Sequence, residues 1–123
     1  MTTTENLTTT EIANRLVELC KTGQNHLAYQ ELFAEDAIAI EPDSAPVKQT
    51  QGLSNLLAKM DVFRGMIKEF HGSGVSEPLV AGNFFTLTMW MDTTMQDDSR
   101  SKMEEVCVYE VQDGKIVKEI FFF

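Results

Sequence analysis

Two glutamates in this chain have surroundings that suit proton-transfer chemistry. Glu41 ends a short apolar segment directly before Pro42, and Glu119 lies between Lys118 and Ile120 in a segment that is otherwise apolar. An apolar environment disfavours a charged carboxylate, raises its pKa and suits it to general acid–base catalysis near neutral pH. A second carboxylate nearby raises one of the two pKa values further. Both residues are therefore catalytic candidates. The alternatives are a solvated strand-end residue for Glu41 and a salt bridge to a lysine at the pocket rim for Glu119.

The histidines and cysteines provide further candidates. His71 lies in Phe70-His71-Gly72 on a predicted bent strand, where an imidazole beside a pocket can shuttle protons. The alternative for His71 is a structural histidine bonded to a neighbour, and His26 is expected to face solvent. Neither the histidines nor Cys20 and Cys107 have the spacing of a metal-binding motif or a disulfide framework. We therefore expect no metal, no cofactor, and two buried thiols in a reducing cytoplasm.

Length and charge restrict the class of protein. The 123 residues have the size of a single domain, with residues 1–8 expected to form a loose tail. The net charge of -9 repels phosphate backbones and anionic membrane surfaces, so neither nucleic acid nor a membrane is an expected partner. Residues 1–10 lack the basic and apolar regions of a targeting segment, and no apolar run approaches the length of a membrane span. We expect a cytoplasmic protein.

Three helices are predicted in the first half of the chain. Thr8 and Glu11 have the spacing of a capping box before the first helix, and Gly23 is expected to end that helix. The second helix is predicted to begin near Asn25, which is a good N-cap residue. Its apolar side chains are Leu27, Leu32 and Phe33, with Tyr29 nearby. Gly52 is expected to open the third helix.

The remainder of the chain has the patterns of strands. The predicted strands cover residues 37–41, 66–80, 84–95, 102–111 and 116–123, with the second of them bent or bulged. Asp113-Gly114 predicts a tight hairpin between the last two. Helices followed by antiparallel strands predict an α+β domain, with three helices packed on one face of a curved sheet.

Four pieces of the chain, in order, resemble the nuclear transport factor 2-like superfamily and, within it, the SnoaL-like (polyketide cyclase-like) and ketosteroid isomerase-like branch. The pieces are Leu32-Phe33-Ala34-Glu35-Asp36-Ala37, Gly52, Val80-Ala81-Gly82-Asn83 and Tyr109-Glu110-Val111-Gln112-Asp113-Gly114-Lys115-Ile116. The resemblance implies a cone-shaped, cystatin-like roll with an apolar pocket between sheet and helices. It also implies a homodimer formed through the outer face of the sheet, where Trp90 is expected to pack against the partner. If the two faces of its strand are reversed, Trp90 lines the pocket instead.

The resemblance also suggests roles for individual residues. In the ketosteroid isomerase branch the general base directly precedes a proline at the end of the first strand, which matches Glu41. The two oxyanion donors of that branch fall on Val17 and near Cys107, so both donors are missing. The same comparison implies that side chains of the last two strands face the pocket. Those of the penultimate strand are Glu105, Cys107 and Tyr109, and those of the last strand are Val117, Glu119, Phe121 and Phe123. The predicted ligand-binding residues are Val17, Tyr29, Glu105, Cys107, Tyr109 and Phe121.

Two functions remain open at this point. The carboxylates Glu41 and Glu119 favour isomerase- or lyase-type acid–base chemistry on a small apolar carbonyl-type ligand. The missing donors favour a non-catalytic ligand-binding or dimeric interaction module, because proton abstraction beside a carbonyl needs an oxyanion stabiliser as well as a base.

Overall fold

Three helices and the seven strands of one sheet make up the computed structural model, which describes residues 7–123; two helices precede the first strand, and the third lies between the second and third strands. The helices are α1 (Thr9–Lys21), α2 (Asn25–Leu32) and α3 (Leu53–Gly65). The strands are β1 (Phe33–Ile40), β2 (Gln49–Gln51), β3 (Ile67–Val75), β4 (Leu79–Ala81), β5 (Phe84–Met95), β6 (Arg100–Gln112) and β7 (Lys115–Phe122). The predicted α+β arrangement is confirmed. Within the described residues no helix is long and apolar enough to cross a membrane.

The strand order in the sheet is β2-β1-β7-β6-β5-β3, and β4 also pairs with β5. Strands β1 and β7 are parallel, and the other pairs are antiparallel. The last strand therefore lies in the interior of the sheet, with β1 on one side and β6 on the other. This position places side chains on the inner face of β7 in the centre of the molecule.

The first helix follows the sequence prediction closely, whereas the second differs in detail. Thr8 and Glu11 form the capping box, and Gly23 follows α1 with φ of 73°. The predicted tail falls largely on residues 1–6, which lie outside the described residues. Asn25 is the first residue of α2 rather than its cap. Leu27 is exposed, because the helix turns Ala28 and Leu32 toward the core instead.

Strand β1 begins earlier than predicted. The sequence pattern suggested an acidic corner at Glu35-Asp36 with a strand over residues 37–41, but the strand already starts at Phe33. The pairing of β1 with β7 is irregular between Phe33 and Ile38, so the acidic pair lies in a bulged part of the strand. Ala37 and Ala39 are fully buried, and their small side chains let the helices approach the sheet.

Two strands replace the single bent strand predicted over residues 66–80. β3 is bulged, as expected, with register shifts between Ile67 and Glu69 and between Phe70 and Gly72. It then stops before Pro78, which has no N–H to donate to the ladder, and the chain resumes as β4. The neighbouring strand β5 has the predicted bounds.

A tight hairpin joins β6 and β7, the two strands that carry several of the predicted pocket residues. Asp113 and Gly114 have φ values of 52° and 76°, as in a type I′ turn. Cys107, Tyr109 and Glu119, which the resemblance turned toward the pocket, are buried in the protein interior. Phe123, expected to face the pocket, follows the end of β7 and is exposed.

Candidate functional site

A cavity of about 190 Å³ lies between the sheet and the three helices. Six of the side chains that line it are Cys20, Phe63, Met89, Met91, Met103 and Glu105. Thioether and aromatic groups make most of this wall apolar and adaptable. Among these six, Glu105 is the only ionisable carboxyl. A lysine at the edge of the cavity, Lys21, pairs with the exposed Glu77 at 3.4 Å.

A second carboxyl, Glu119, lies close to the cavity but deeper in the protein. Its side chain points inward from β7, and only 2% of the residue is exposed. The hydroxyl of Tyr29 on α2 donates a hydrogen bond to Glu119 Oε1 at 2.7 Å. The charge of Glu119 raises the pKa of Cys20, which lines the cavity. Glu119 and the cavity wall are therefore neighbours.

An ammonium and a third carboxylate complete the group. Lys59 Nζ on α3 lies 3.4 Å from Glu41 Oε2, just beyond the end of β1, and 5.8 Å from the centroid of the Phe121 ring. The Nζ atom is buried and makes no hydrogen bond within residues 7–123. We call Glu41, Lys59, Glu105 and Glu119 the acidic cluster.

Burial and mutual repulsion set the protonation of the acidic cluster. Burial raises the pKa of Glu119 to about 7, with the charges of Glu105 and Glu41 adding to the rise. The hydrogen bond from Tyr29 and the charge of Lys59 act in the opposite direction. Burial also raises the pKa of Glu105, and the Cys107 thiol and Lys59 moderate this effect. The cluster therefore holds a proton near neutral pH.

The thiols and the inner tyrosine are poorly suited to nucleophilic or acid–base roles. Burial raises the pKa of Cys20 to about 11 and also raises the pKa of Cys107. Both cysteines are free thiols. Tyr109 is buried and stacks on Phe85, with ring centroids 4.7 Å apart, and burial raises its pKa well above the usual value. Cys20 is therefore part of the cavity wall, and Cys107 and Tyr109 belong to the hydrophobic core.

The structure brings together some of the sequence-predicted residues and separates others. Glu41 pairs with Lys59, and Lys59 lies over the ring of Phe121. Tyr29 donates a hydrogen bond to Glu119, and Glu105 lines the cavity. Val17 instead borders a surface hollow formed with residues such as Thr22 and Glu77. His71 is not among the residues that line the cavity: it is exposed on β3, and its Nε2 lies 2.7 Å from Thr94 Oγ1, as in the alternative of a histidine bonded to a neighbour.

Lys59 is the functional candidate that the sequence reading missed. It follows Leu56 and Leu57 in a helix whose other polar residues face solvent, so nothing in the local pattern distinguishes it. The signal available from sequence was the pair of glutamates predicted to face a pocket, since buried carboxylates require a partner. Among residues 7–123 no group of three or more His, Cys, Asp or Glu side chains is arranged to hold a metal ion.

The family of the chain follows from comparison with known proteins. A family model described as SnoaL-like domain matches residues 7–123. A Mesorhizobium loti structure, provisionally described as a SnoaL-like polyketide cyclase [carbohydrate phosphatase], is 33% identical, with a TM-score of 0.89 over 95% of this chain and 100% of that chain. No curated protein matches the sequence.

Two more distant structures share the fold. A Xanthomonas campestris protein of unknown function with a cystatin-like fold is 19% identical, with a TM-score of 0.78 over 94% of this chain and 90% of that chain. A Bacillus subtilis protein, provisionally described as an isomerase, is 16% identical, with a TM-score of 0.66 over 94% of this chain and 88% of that chain. The cystatin-like fold is thus confirmed, and the chain belongs to the SnoaL-like domain family.

Proposed function

We propose that the protein performs isomerase- or lyase-type acid–base chemistry on a small, largely apolar molecule held in the cavity. The observation that carries this proposal is the gathering of Glu41, Glu105 and Glu119 around the ammonium of Lys59, beside a wall of thioether and aromatic groups. The names of two relatives, a polyketide cyclase and an isomerase, are compatible with such a reaction.

Electrostatics explains why this cluster suits proton transfer. Three carboxylates and one ammonium have a surplus of negative charge, and neighbouring carboxylates in a buried place do not all ionise at once. One proton is therefore shared near neutral pH, mainly by Glu119, whose pKa is raised to about 7. Glu105 lines the cavity and meets the ligand. Glu119, hydrogen-bonded to Tyr29, is a proton reservoir behind it.

Exchange of carbon-bound hydrogen tests the proposal directly. Cyclohexanone is incubated with the protein in D2O, and NMR follows the loss of the proton signals beside the carbonyl. We expect the wild type to accelerate exchange and Glu105→Gln to lose about a hundredfold or more of that acceleration, since it lacks the base. Glu35→Gln removes an exposed carboxylate and should behave as the wild type. Exchange no faster than in buffer, or an unaffected Glu105→Gln variant, would contradict acid–base catalysis.

A second candidate is a binding module without catalysis. It is favoured by the absence of a polar donor at Val17 and by the Cys107 thiol, whose pKa burial raises. In this case small ring compounds bind in the cavity, and Glu105→Gln changes their affinity, but no exchange accompanies binding. The same NMR experiment separates the two candidates, because binding shifts protein signals whether or not protons exchange.

We also propose that the protein is a cytoplasmic homodimer that pairs through the outer face of its sheet. Trp90, Val106 and Phe122 are 42%, 42% and 55% exposed, and Trp90 also borders the cavity. Val106 alternates with the buried Cys107 along β6, which places Val106 on the outer face. Val106 and Phe122 are cross-strand neighbours, so their side chains form one continuous apolar surface. A second copy covers such a surface by two-fold symmetry. Free thiols at Cys20 and Cys107 are consistent with a reducing compartment.

A further inference from the structure

We infer that Lys59 is the hydrogen-bond donor that holds the oxygen of a carbonyl ligand while a carboxylate of the acidic cluster accepts a proton from the neighbouring carbon. The inference rests on the proposed function and names its substrate class, which is a small carbonyl compound with hydrogen on the adjacent carbon. Lys59 would then be the oxyanion stabiliser that neither Val17 nor Cys107 provides.

The first argument is the unused bonding capacity of the lysine. An ammonium has three N–H donors, yet Lys59 Nζ makes no hydrogen bond within residues 7–123. Its ion pair with Glu41 spans 3.4 Å, which is longer than a charge-assisted hydrogen bond. A buried donor without a partner is costly, so a ligand oxygen that accepts from it gains binding energy.

The second argument is position. Phe63, which lines the cavity, lies four residues after Lys59 and therefore on the same face of α3. Glu105 also lines the cavity, and burial raises its pKa while the charge of Lys59 acts against that rise. The flexible four-carbon stem of lysine lets the ammonium turn toward the cavity, at the expense of the 3.4 Å ion pair with Glu41 but of no hydrogen bond among the described residues.

The third argument is that two tyrosines and a second lysine in this region are already engaged. The hydroxyl of Tyr29 donates to Glu119. Tyr109 is stacked in the core on Phe85, and Lys21 pairs with Glu77 at the protein surface. Lys59 is the cationic donor that combines burial, proximity to Glu105 and free N–H groups.

The chemical step balances with these residues alone. The Glu105 carboxylate removes a proton from the carbon beside the carbonyl, and that C–H bond breaks. Its electron pair moves through the carbonyl carbon to the oxygen, which becomes the enolate oxygen facing the Lys59 ammonium. The negative charge passes from Glu105 to the ligand, so the total charge of the site is unchanged. An ammonium fixed where this charge develops stabilises the transition state.

A binding comparison tests the donor role without requiring turnover. Cyclohexanone and methylenecyclohexane have nearly the same shape, but only the ketone has an oxygen that accepts a hydrogen bond. Protein NMR titration of both compounds should show the wild type binding the ketone about tenfold more tightly, as a hydrogen bond to a charged group allows. Lys59→Met should lose this preference, whereas Lys59→Arg should retain part of it. Lys48→Met, which removes an exposed lysine paired with Asp43, serves as the matched control.

The outcomes separate this inference from the proposed function. Equal affinity of the wild type for the two compounds, no binding of either, or a ketone preference that survives in Lys59→Met would overturn the role of Lys59. Equal affinity, or a preference that survives in Lys59→Met, requires no change in the hydrogen exchange assigned to Glu105, whereas no binding of either compound would contradict that exchange as well. Conversely, a ketone preference that depends on Lys59, in a protein that accelerates no exchange, would retain the donor and refute the catalysis.

Discussion

The carboxyl group of Glu119 makes the stability of this fold depend on pH. Its pKa rises from an ordinary value of 4.5 to about 7 in the folded protein, chiefly through burial. The folded state therefore binds the proton more tightly than the unfolded state. The free energy of unfolding is highest below the ordinary value and decreases as the pH rises through about 7. Burial also raises the pKa of Glu105, so this residue contributes to the same decrease of stability with rising pH.

We predict that Glu119→Gln reduces this dependence. Glutamine keeps an oxygen to accept from Tyr29 but has no charge to bury. Urea unfolding at about pH 5 and about pH 8 should show the variant losing less stability than the wild type, by on the order of 3 kcal/mol. Glu35→Gln, at an exposed site, should reproduce the wild-type profile. Parallel pH profiles for wild type and Glu119→Gln would rule out a neutral Glu119.

Sequence alone predicts part of this site. Glu41 and Glu119 are recognisable because a carboxylate in an apolar strand needs a partner or a function. Lys59 is not recognisable, since a lysine on a helix is usually solvated and its burial depends on how α3 packs on β1 and β7. His71 was a candidate because an imidazole beside a pocket can shuttle protons, but sequence does not show which face of the bulged strand β3 it occupies.

A close approach of two strands gives a prediction at the level of elements. The Trp90 ring on β5 covers Gly72 and Gly74 on β3, and a Cβ at Gly74 would overlap its indole Nε1 and lie 2.9 Å from Cε2. Gly74→Ala should therefore displace the ring and destabilise the protein by about 1–3 kcal/mol. Because Trp90 is the single tryptophan, its fluorescence reports the displacement as well as the unfolding curve.

Gly65→Ala is the matched control for this substitution. Gly65 ends α3, and a Cβ built there meets nothing within 4 Å. Alanine at this position should leave the tryptophan emission unchanged and the stability equal or slightly higher. If the two variants have the same stability and emission, the packing of Trp90 on Gly74 does not hold β3 in place.

The success of sequence prediction differs between elements for a physical reason. β5 was predicted with its observed bounds because Phe85, Leu87, Met89 and Met91 recur at every second position and Thr86, Thr88 and Asp92 fall between or beside them. The three-residue strand β2 was missed because it is too short to show a pattern. The early start of β1 was missed because Glu35 and Asp36 give no strand pattern. They belong to the strand through the irregular pairing of β1 with β7, which is distant in sequence.

At the level of the whole molecule, the outer sheet face predicts the oligomeric state. Sedimentation equilibrium should show a dimer for the wild type. Val106→Lys places a charge in the centre of the apolar surface and should weaken the dimer about tenfold or more, because an unpaired charge is costly in an interface. Val62→Lys alters an exposed apolar residue on α3, away from the sheet, and should not change the dimer. A monomeric wild type would exclude this surface as a self-association site.

The interior position of β7 affects how the chain folds during synthesis. β1 is made early, but its parallel neighbour β7 is the last strand to leave the ribosome, so these contacts span most of the sequence. Pairings of this kind form slowly, and until they form β1 presents an unpaired edge to other chains. Insertion of β7 closes that edge and brings Glu119 to Tyr29 in the same event. A nascent or truncated chain is therefore both prone to aggregate and unable to assemble the acidic cluster.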